Sequence, residues 1–330
     1  MNSSITIFEN ILPGKCQYTI AIPTFKRASL LKETLESAIN QKKAPMYRII
    51  IVDNNPMRDD ETEKMLVEYK DITNISYYKN KENLGPVGNW NRLYELSDTK
   101  YVIMLHDDDL LYPDYLENID NTITITKSQY VAYFVTPTYW DMNTTVFEKL
   151  TRVKQKINVK EIPLKSFIEG NVVGNPTTCI ERNSLISVGM FSLKYYPSID
   201  YDIYVKLAKQ YEICRLENYP LSIYRISEND SCKTETILSV ASADLGIKRE
   251  IVSNKGTFSK NIWDSYIRVS IYKNTNNLKR MFHNTSFDTN IELRKINIFY
   301  NKIDYLIYTI INLQFRIKSK LYKYYKRVFR

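Results

Sequence analysis

Continuous apolar runs alternate with amphipathic segments through the first part of this 330-residue chain. Four runs rich in β-branched residues are typical of strands buried on both faces: 18–23, 48–53, 75–79 and 101–105. Apolar residues recur at helical spacing in the segments between and after them: 28–40, 61–70, 86–96 and 113–125. This alternation predicts an α/β fold whose mostly parallel central sheet is flanked by helices.

The pattern changes twice further along the chain. Between residues 131 and 231 it is mixed, and it predicts these elements: strands near 131–136, 177–181 and 212–217, and helices near 163–169 and 201–210. From Lys233 onward it is helical, with few strand signals. We therefore predict one domain over 1–232, with halves 17–120 and 121–232, followed by a helical C-terminal region over 233–330.

The positive charge of the chain is concentrated at its end. The formal net charge is +9, but residues 305–330 contain no acid and seven basic residues, which leaves about +2 for the rest. Apolar and aromatic residues lie among these basic ones, a composition typical of a helix in the headgroup layer of an anionic membrane. The alternative is a packed helix whose basic residues face water. No RNA-binding motif accompanies the segment, so nucleic acid is not an expected partner.

The remaining counts exclude several classes of protein. Four cysteines without a CxxC pair and only two histidines argue against a disulfide framework, a structural zinc site and a multi-histidine metal centre. The first residues lack the pattern of a secretory signal, and no apolar stretch is long enough to span a bilayer. We expect a cytoplasmic protein that is peripheral at the inner face of the cell membrane.

Acidic residues follow two of the predicted strands, where ligands of such sheets bind. Three adjacent carboxylates, Asp107, Asp108 and Asp109, end the fourth strand, and a hard divalent cation would relieve their mutual repulsion. The alternative is a solvated acidic turn that caps the next helix. Asp53 ends the second strand, where an acid commonly binds a ribose or base, although it could instead form an Asx-turn.

The first strand leads into the sequence PTFKR, which contains no glycine. A dinucleotide cradle and a P-loop are both absent where they would have to lie. This argues against dehydrogenases, methyltransferases and kinases. The charge of a diphosphate would have to be met by metal and basic side chains.

Four segments in this order resemble family-2 glycosyltransferases with the GT-A fold: IAIPTFKR, IIIVDNN, NLGPVGNWNR and MLHDDDLLYPDYLE. The resemblance is strongest over residues 17–120, the nucleotide-binding half, and weaker through the acceptor half to about 231. It implies transfer of a single sugar from a nucleoside-diphosphate sugar, with UDP-sugars favoured, to a hydroxyl of a saccharide acceptor. A lipid-linked acceptor, as in bacterial surface-polysaccharide assembly, is the expected class.

The resemblance also implies roles for individual residues. The nucleotide is expected near these residues: Pro23, Thr24, Arg27, Asp53, Asn83, Asn91 and Asp107. Asp108 is the expected ligand of Mn²⁺ or Mg²⁺, with Asp109 as a second one. His106 occupies the first position of the family's Asp-x-Asp pattern, so the first carboxylate is missing.

The acceptor half is expected to supply a general base for direct, inverting displacement. The segment PSIDYDIYVKLA resembles the family's acidic segment, with Ile199 in place of the first acid and Asp200 as the second. Asp200 is therefore the expected base and Asp202 the alternative, while an N-cap role for Asp200 stays open. Arg225 lies in a segment that resembles the loop over the diphosphate and is an expected contact there, unless it forms an ordinary surface salt bridge.

Two other function classes remain open. A catalytically silent relative that binds nucleotide-sugar or partner proteins is possible because His106 and Ile199 depart from the pattern. A nucleotidyltransferase would share the sheet type, but it would need a glycine-rich first loop, which PTFKR is not.

Overall fold

The computed structural model describes residues 3–10, 15–142, 147, 152–153, 155–173, 177–226, 233–254, 256–281 and 287–328. The chain divides into two compact units. The N-terminal unit comprises Met1–Pro163, Val173–Lys194 and Asp202–Ser227. The C-terminal unit comprises Leu164–Val172, Tyr195–Tyr201 and Glu228–Arg330. The boundary predicted near residue 232 falls outside the described residues.

Strands and helices alternate in the N-terminal unit. Its strands are β1 (Ser4–Glu9), β2 (Tyr18–Thr24), β3 (Tyr47–Asp53), β4 (Ile75–Asn80), β5 (Tyr101–Met104), β6 (Leu110–Leu111), β7 (Ala132–Val135), β8 (Pro137–Asp141), β9 (Asn158–Glu161), β10 (Thr178–Glu181), β11 (Ile213–Glu217) and β12 (Ser222–Ile226). Its helices are α1 (Ala28–Ile39), α2 (Glu61–Val67), α3 (Gly85–Leu96), α4 (Tyr115–Ile125) and α5 (Arg182–Ser187), and α6 (Ile199–Gln210) begins in the C-terminal unit.

Nine strands form one sheet in the order β1-β4-β3-β2-β5-β10-β7-β11-β9. β2 pairs in parallel with β3 and β5, and β3 pairs in parallel with β4, which confirms the predicted α/β class with a mostly parallel central sheet. β1 was not predicted. It pairs antiparallel with β4 at the sheet edge, and only its first residue is fully buried, so it lacks the continuous apolar signal of the inner strands.

Burial explains why the inner strands were recognisable in the sequence. Every residue of β2 is buried, and α1 covers the core with Leu31, Leu35 and Ala38, at the spacing that one helix face requires. The rings of Tyr18 and Tyr101 stack 5.7 Å apart inside the same core. The carboxyl ends of β2, β3 and β5 therefore lie side by side at one edge of a rigid sheet.

A second, smaller sheet has the order β6-β12-β8. β6 follows the acidic segment directly, and it pairs antiparallel with β12. This pairing brings β12, which contains Arg225, next to the acidic residues that end β5.

Helices make up most of the C-terminal unit in the described residues. They are α7 (Thr234–Ile251), α8 (Thr257–Met281), α9 (Thr289–Lys295) and α10 (Lys302–Val328). One face of α10 packs on α8, where Tyr308 and Phe315 contact the rings of Trp263 and Tyr266. Among the described residues, no helix is both long and apolar enough to cross a membrane.

Candidate active site

Four of the predicted site residues converge where β2 and β5 end. The Thr24 hydroxyl donates to Oδ2 of Asp107 at 2.8 Å. Lys26 takes a positive φ of 56° in the turn after β2, and the next residue, Arg27, turns towards the acids. Its guanidinium lies 2.9 Å from Oδ2 of Asp108 and 3.4 Å from Oδ1 of Asp107. The parallel pairing of β2 and β5 thus gathers a hydroxyl, a cation and two carboxylates.

Burial and charge repulsion dominate the electrostatics here. Burial, reinforced by the charge of Asp108, raises the pKa of Asp107 to about 6, although Arg27 and Thr24 oppose the shift. Burial lowers the pKa of His106, so that its imidazole is neutral at pH 7. Its Nε2 atom has no hydrogen-bond partner among the described residues, and its ring meets Trp90 edge-on at 5.0 Å. A cationic ligand would relieve the repulsion between Asp107 and Asp108 that contributes to the raised pKa of Asp107.

Arg225 is enclosed in the protein and does not lie on an open loop. Only 1% of it is exposed, and its guanidinium donates to the Asp108 carbonyl, to Glu33 Oε2 at 2.6 Å and to the Thr34 hydroxyl at 3.1 Å. Its backbone N–H donates to Oδ1 of Asp109 at 3.1 Å. The pair with Glu33 is a salt bridge whose arginine is buried, and contact of Arg225 with a diphosphate stays a prediction. Arg225 holds the acidic segment against α1.

We expect Arg225→Ala to lower the free energy of unfolding of the N-terminal unit by on the order of 3 kcal/mol. The substitution leaves buried acceptors unsatisfied and opens a cavity. Denaturant unfolding measures the change. Glu33→Gln is the control, because the Glu33 side chain is 58% exposed and its ion pair should contribute less than about 1 kcal/mol. Equal stability of Arg225→Ala and the unsubstituted protein would contradict this role.

Asp53 is buried in a charged cluster of its own. It pairs in register with Lys79 across β3 and β4, and Nζ of Lys79 lies 2.6 Å from Asp53 Oδ2. Tyr77 donates to the same oxygen at 3.0 Å, and the backbone N–H of Asn55 donates to Oδ1, so an Asx-turn is present. Burial raises the pKa of Asp53 despite Lys79. Both side chains of the pair are fully buried, so contact of Asp53 with a nucleotide stays a prediction.

The two predicted asparagines hold backbone in place. Asn83 Oδ1 accepts from the Asn54 side chain at 2.7 Å and from the Gly85 N–H at 2.9 Å. Asn91 binds both the N–H and the carbonyl of Phe191 at 3.0 Å. The ring of Phe191 in turn packs on Trp90, the neighbour of His106. Pro23 is buried within β2.

Two residues near the site were missed by the sequence reasoning. Asn54 joins the end of β3 to the end of β4 and the stretch that follows it, since its side chain bonds Asn80, Asn83 and the Leu84 N–H. Lys79 is the fully buried cation beside Asp53. A lysine within a strand of otherwise buried residues was the available signal, because such a charge is rarely buried without an acidic partner.

The two candidate bases lie on α6 in different surroundings. Asp200 lies in the first turn, because the helix begins at Ile199, and it accepts from the Asn171 amide and from the Tyr201 N–H, both at 2.8 Å. Burial raises its pKa, and it forms no ion pair among the described residues. Asp202 is 2% exposed and forms a 2.7 Å ion pair with Lys206. Asp202 is thus already engaged by a cation whereas Asp200 is not, and the role of Asp200 as the base stays a prediction.

The acidic segment could hold a divalent cation through one or two carboxylates, provided that water and substrate phosphates complete the coordination shell. The described residues contain no group of three or more metal-ligating side chains, so they offer no all-protein cage. Mg²⁺ and Mn²⁺ are commonly held by one or two carboxylates, with water and substrate phosphates completing the shell. Asp108, whose carboxylate is in reach of Arg27 and partly exposed, suits that arrangement. Asp109 is buried with one oxygen on the Arg225 N–H, so its role as a ligand stays a prediction.

The sequence profile described as Glycosyl transferase family 2 matches residues 19–191, just over half of the chain. The chain belongs to glycosyltransferase family 2. The match includes the ends of β2, β3 and β5 and all three adjacent carboxylates. The resemblance stated from the motifs is thereby confirmed.

Named relatives share about a quarter to a third of aligned residues. An uncharacterised glycosyltransferase of Methanocaldococcus jannaschii is 27% identical over 61% of this chain and 67% of its own length. The abequosyltransferase RfbV of Salmonella typhimurium is 33% identical over 30% of each chain. The glucosyl-dolichyl phosphate glucuronosyltransferase of Haloferax volcanii is 27% identical over 33% of this chain and 34% of its own. The chain thus spans only about a third of the length of the last two relatives.

Solved glycosyltransferases share the fold. The crystal structure of TarS residues 1–349 from S. aureus superposes with a TM-score of 0.52 at 15% identity, covering 78% of this chain and 80% of that fragment. The mannosyltransferase PcManGT from Pyrobaculum calidifontis, solved with GDP-Man and Mn²⁺, has a TM-score of 0.55 at 12% identity, covering 98% and 86%. These similarities confirm the GT-A fold.

Proposed function

We propose that this family-2 glycosyltransferase transfers a single sugar from a nucleoside-diphosphate sugar, a UDP-sugar in preference, to a hydroxyl of a saccharide acceptor. The observation that carries the proposal is the convergence of Thr24, Arg27, Asp107 and Asp108 where β2 and β5 end. TarS has been solved with UDP-GlcNAc, which supports the choice of UDP.

On the donor side, Arg27 would bind the diphosphate directly, and Asp108 would bind it through a divalent cation. Arg27 is an exposed cation at this edge, with 42% of its side chain accessible, and it is placed to meet phosphate oxygens. Asp108 would hold Mn²⁺ or Mg²⁺ together with those oxygens. When bound, such a cation neutralises the charge that develops on the leaving diphosphate. Thr24 keeps Asp107 oriented beneath them.

On the acceptor side, Asp200 takes the proton of the attacking hydroxyl. Asn171 and the Tyr201 N–H fix the two oxygens of its carboxylate, and burial raises its pKa towards that of a useful base. The bond from the acceptor oxygen to the anomeric carbon forms as the bond to the diphosphate breaks. Direct displacement with one base inverts the anomeric configuration.

A nucleotide-binding test separates this proposal from unrelated functions. We expect UDP with Mn²⁺ to raise the melting temperature more than GDP with Mn²⁺ or UDP with EDTA, because a ligand that binds only the folded protein stabilises it. Differential scanning fluorimetry measures the shift. Failure of both nucleotides to stabilise the fold would contradict the donor site. Metal-dependent hydrolysis of UDP-sugars then distinguishes an enzyme from a catalytically silent relative.

The C-terminal helix is proposed to lie on an anionic membrane, where a lipid-linked acceptor would be found. While one face of α10 packs on α8, a second apolar row stays exposed at alternating spacings of three and four: Ile303, Leu306, Ile310, Leu313 and Ile317. The helix continues to Val328, and its sequence from residue 316 is rich in lysine and arginine without an acid. An exposed apolar row and a basic segment on one helix are what an anionic bilayer attracts.

We expect the triple variant Leu306→Ser, Ile310→Ser and Leu313→Ser to bind phosphatidylglycerol vesicles roughly 10–100-fold more weakly than the unsubstituted chain, because three apolar side chains no longer enter the headgroup layer. Vesicle flotation measures the change. The matched control replaces three exposed apolar residues outside α10, Met57, Ile125 and Leu193, by serine. Equal flotation of both triple variants would contradict the role of α10.

A further inference from the structure

A cavity in the C-terminal unit lies at the junction of α8, α9 and the start of α10. Its volume is about 450 Å³, within the usual range of small-molecule sites. It is lined by Tyr272, Thr289, Asn290, Leu293, Arg294, Ile298, Phe299, Tyr300, Asn301, Lys302 and Tyr305. The donor motifs all lie in the N-terminal unit, so this cavity is not the donor site.

The walls of this cavity are aromatic and its floor is aliphatic. Tyr300 meets Tyr272 edge-on at 5.1 Å and stacks on Tyr305 at 6.3 Å. Leu293 and Ile298 are almost fully buried beneath them. Phe299 stands 60% exposed at the rim, although large apolar side chains are normally buried. A rigid aromatic surface of this size suits a flat partner with an apolar face, such as the C–H face of a sugar ring.

The charged side chains that line the cavity, Arg294 and Lys302, are both basic. Arg294 and Lys302 are exposed, and neither side chain forms an ion pair within the described part of the chain. The nearby acids have partners: Glu292 pairs with Lys295 at 2.7 Å, Asp304 pairs with Arg268 at 3.0 Å, and Asp288 caps α9 by accepting from the Asn290 and Ile291 N–H groups. None of the described lining residues is acidic. An anion is therefore the complementary ligand, and Asn290 supplies an amide for hydroxyl groups.

We propose that this cavity binds a phosphorylated saccharide, the sugar ring lying on the tyrosines and the phosphate on Arg294 and Lys302. This inference rests on the proposed function, since it supplies an acceptor-binding site outside the donor motifs. Lys302 and Tyr305 lie on the same turns of α10 as Ile303 and Leu306, the start of its exposed apolar row. A saccharide phosphate joined to a lipid would thus meet the cavity at the membrane surface. Soluble sugar phosphates share the same chemistry.

Ligand-observed NMR with α-glucose 1-phosphate as the probe tests the cavity. We expect Arg294→Gln and Phe299→Ser each to weaken binding about tenfold, the loss expected when a charge-assisted hydrogen bond or an aromatic contact is removed. The controls Lys260→Gln on α8 and Ile291→Ser on α9 replace exposed residues that do not line the cavity, so both variants should bind as the unsubstituted protein does. Glucose and inorganic phosphate alone should bind more weakly than the joined probe.

Three results would overturn the inference: equal binding in all four variants, inorganic phosphate binding as tightly as the sugar phosphate, or UMP competing more strongly than glucose 1-phosphate at the cavity. UDP with Mn²⁺ should raise the melting temperature of every variant by the same amount. If it raises none of them, the proposed donor site is wrong, whatever the cavity binds. Vesicles of phosphatidylglycerol distinguish the two sources of ligand. Displacement of the probe from the unsubstituted protein, but not from the α10 triple variant, would support a lipid-linked saccharide phosphate as the ligand. No displacement from either protein would favour a soluble sugar phosphate.

Discussion

Asp200→Asn should lower kcat by about 100-fold or more while leaving the dissociation constant of UDP with Mn²⁺ unchanged. The amide cannot take a proton from the acceptor hydroxyl, and general bases typically contribute 10²- to 10⁴-fold. The fold should survive, because Asn keeps the oxygen that accepts from Asn171 or from the Tyr201 N–H. Steady-state kinetics with calorimetric binding of UDP measures both quantities.

The pH profile gives this prediction a second readout. Burial raises the pKa of Asp200, and only its ionised form accepts the proton, so kcat should fall as the pH drops through a value above the ordinary range for aspartate. Asn171→Ala removes a hydrogen bond that lowers this pKa, so the acidic limb should move to higher pH. A profile without an acidic limb, or one that Asn171→Ala leaves in place, would contradict the assignment.

Asp202→Asn is the matched control on the same helix. Asp202 forms a 2.7 Å ion pair with Lys206 and accepts from the Ser192 hydroxyl at 3.2 Å. We therefore expect Asp202→Asn to lower the free energy of unfolding and to leave kcat largely unchanged. If Asp202→Asn abolished turnover and Asp200→Asn did not, the sequence alternative would be correct. The two variants therefore decide between the two bases that the sequence left open.

The fold was predictable where burial acts on contiguous sequence. β2 and β3 read as continuous apolar runs because both faces of the sheet are covered there, and the acid at the end of β3 stood out against that background. The edge strand β1 has no such pattern, since its residues are mostly half-buried. Its identity depends on the pairing with β4, which the sequence does not state.

Candidate residues for the site could be chosen from the sequence, but their contacts could not be predicted from it. Asp107 and Asp108 follow directly from the chemistry of adjacent carboxylates. The enclosure of Asp53 depends on its register with Lys79, and that of Arg225 on the pairing of β12 with β6. Both pairings join strands that are far apart in the sequence. The local sequence shows that a charged residue is present, but it does not show which oppositely charged group will lie beside it.

Asp108→Asn should lower turnover by about 100-fold or more and abolish its stimulation by Mn²⁺, because a cation at the diphosphate contributes several kcal/mol to the transition state. It should also leave the protein as stable as before or more so. The charge of Asp108 raises the pKa of both Asp107 and Asp109, so removing it relieves repulsion in the folded state. Loss of function without loss of stability is the expected signature of a ligand.

Asp109→Asn tests whether the neighbouring acid is a second ligand. Burial raises the pKa of Asp109 well above its usual value, so losing the negative charge is favoured in the folded protein, and the Asn oxygen can still accept from the Arg225 N–H. Most of the turnover should therefore remain, and Mn²⁺ should still stimulate it. If the two variants lost activity equally, both carboxylates would be ligands; if Asp108→Asn kept its response to Mn²⁺, the assignment of Asp108 would be wrong. Metal titrations of the two variants at saturating donor provide the measurement, because binding through one carboxylate leaves the affinity of Asp109→Asn close to that of the unsubstituted enzyme.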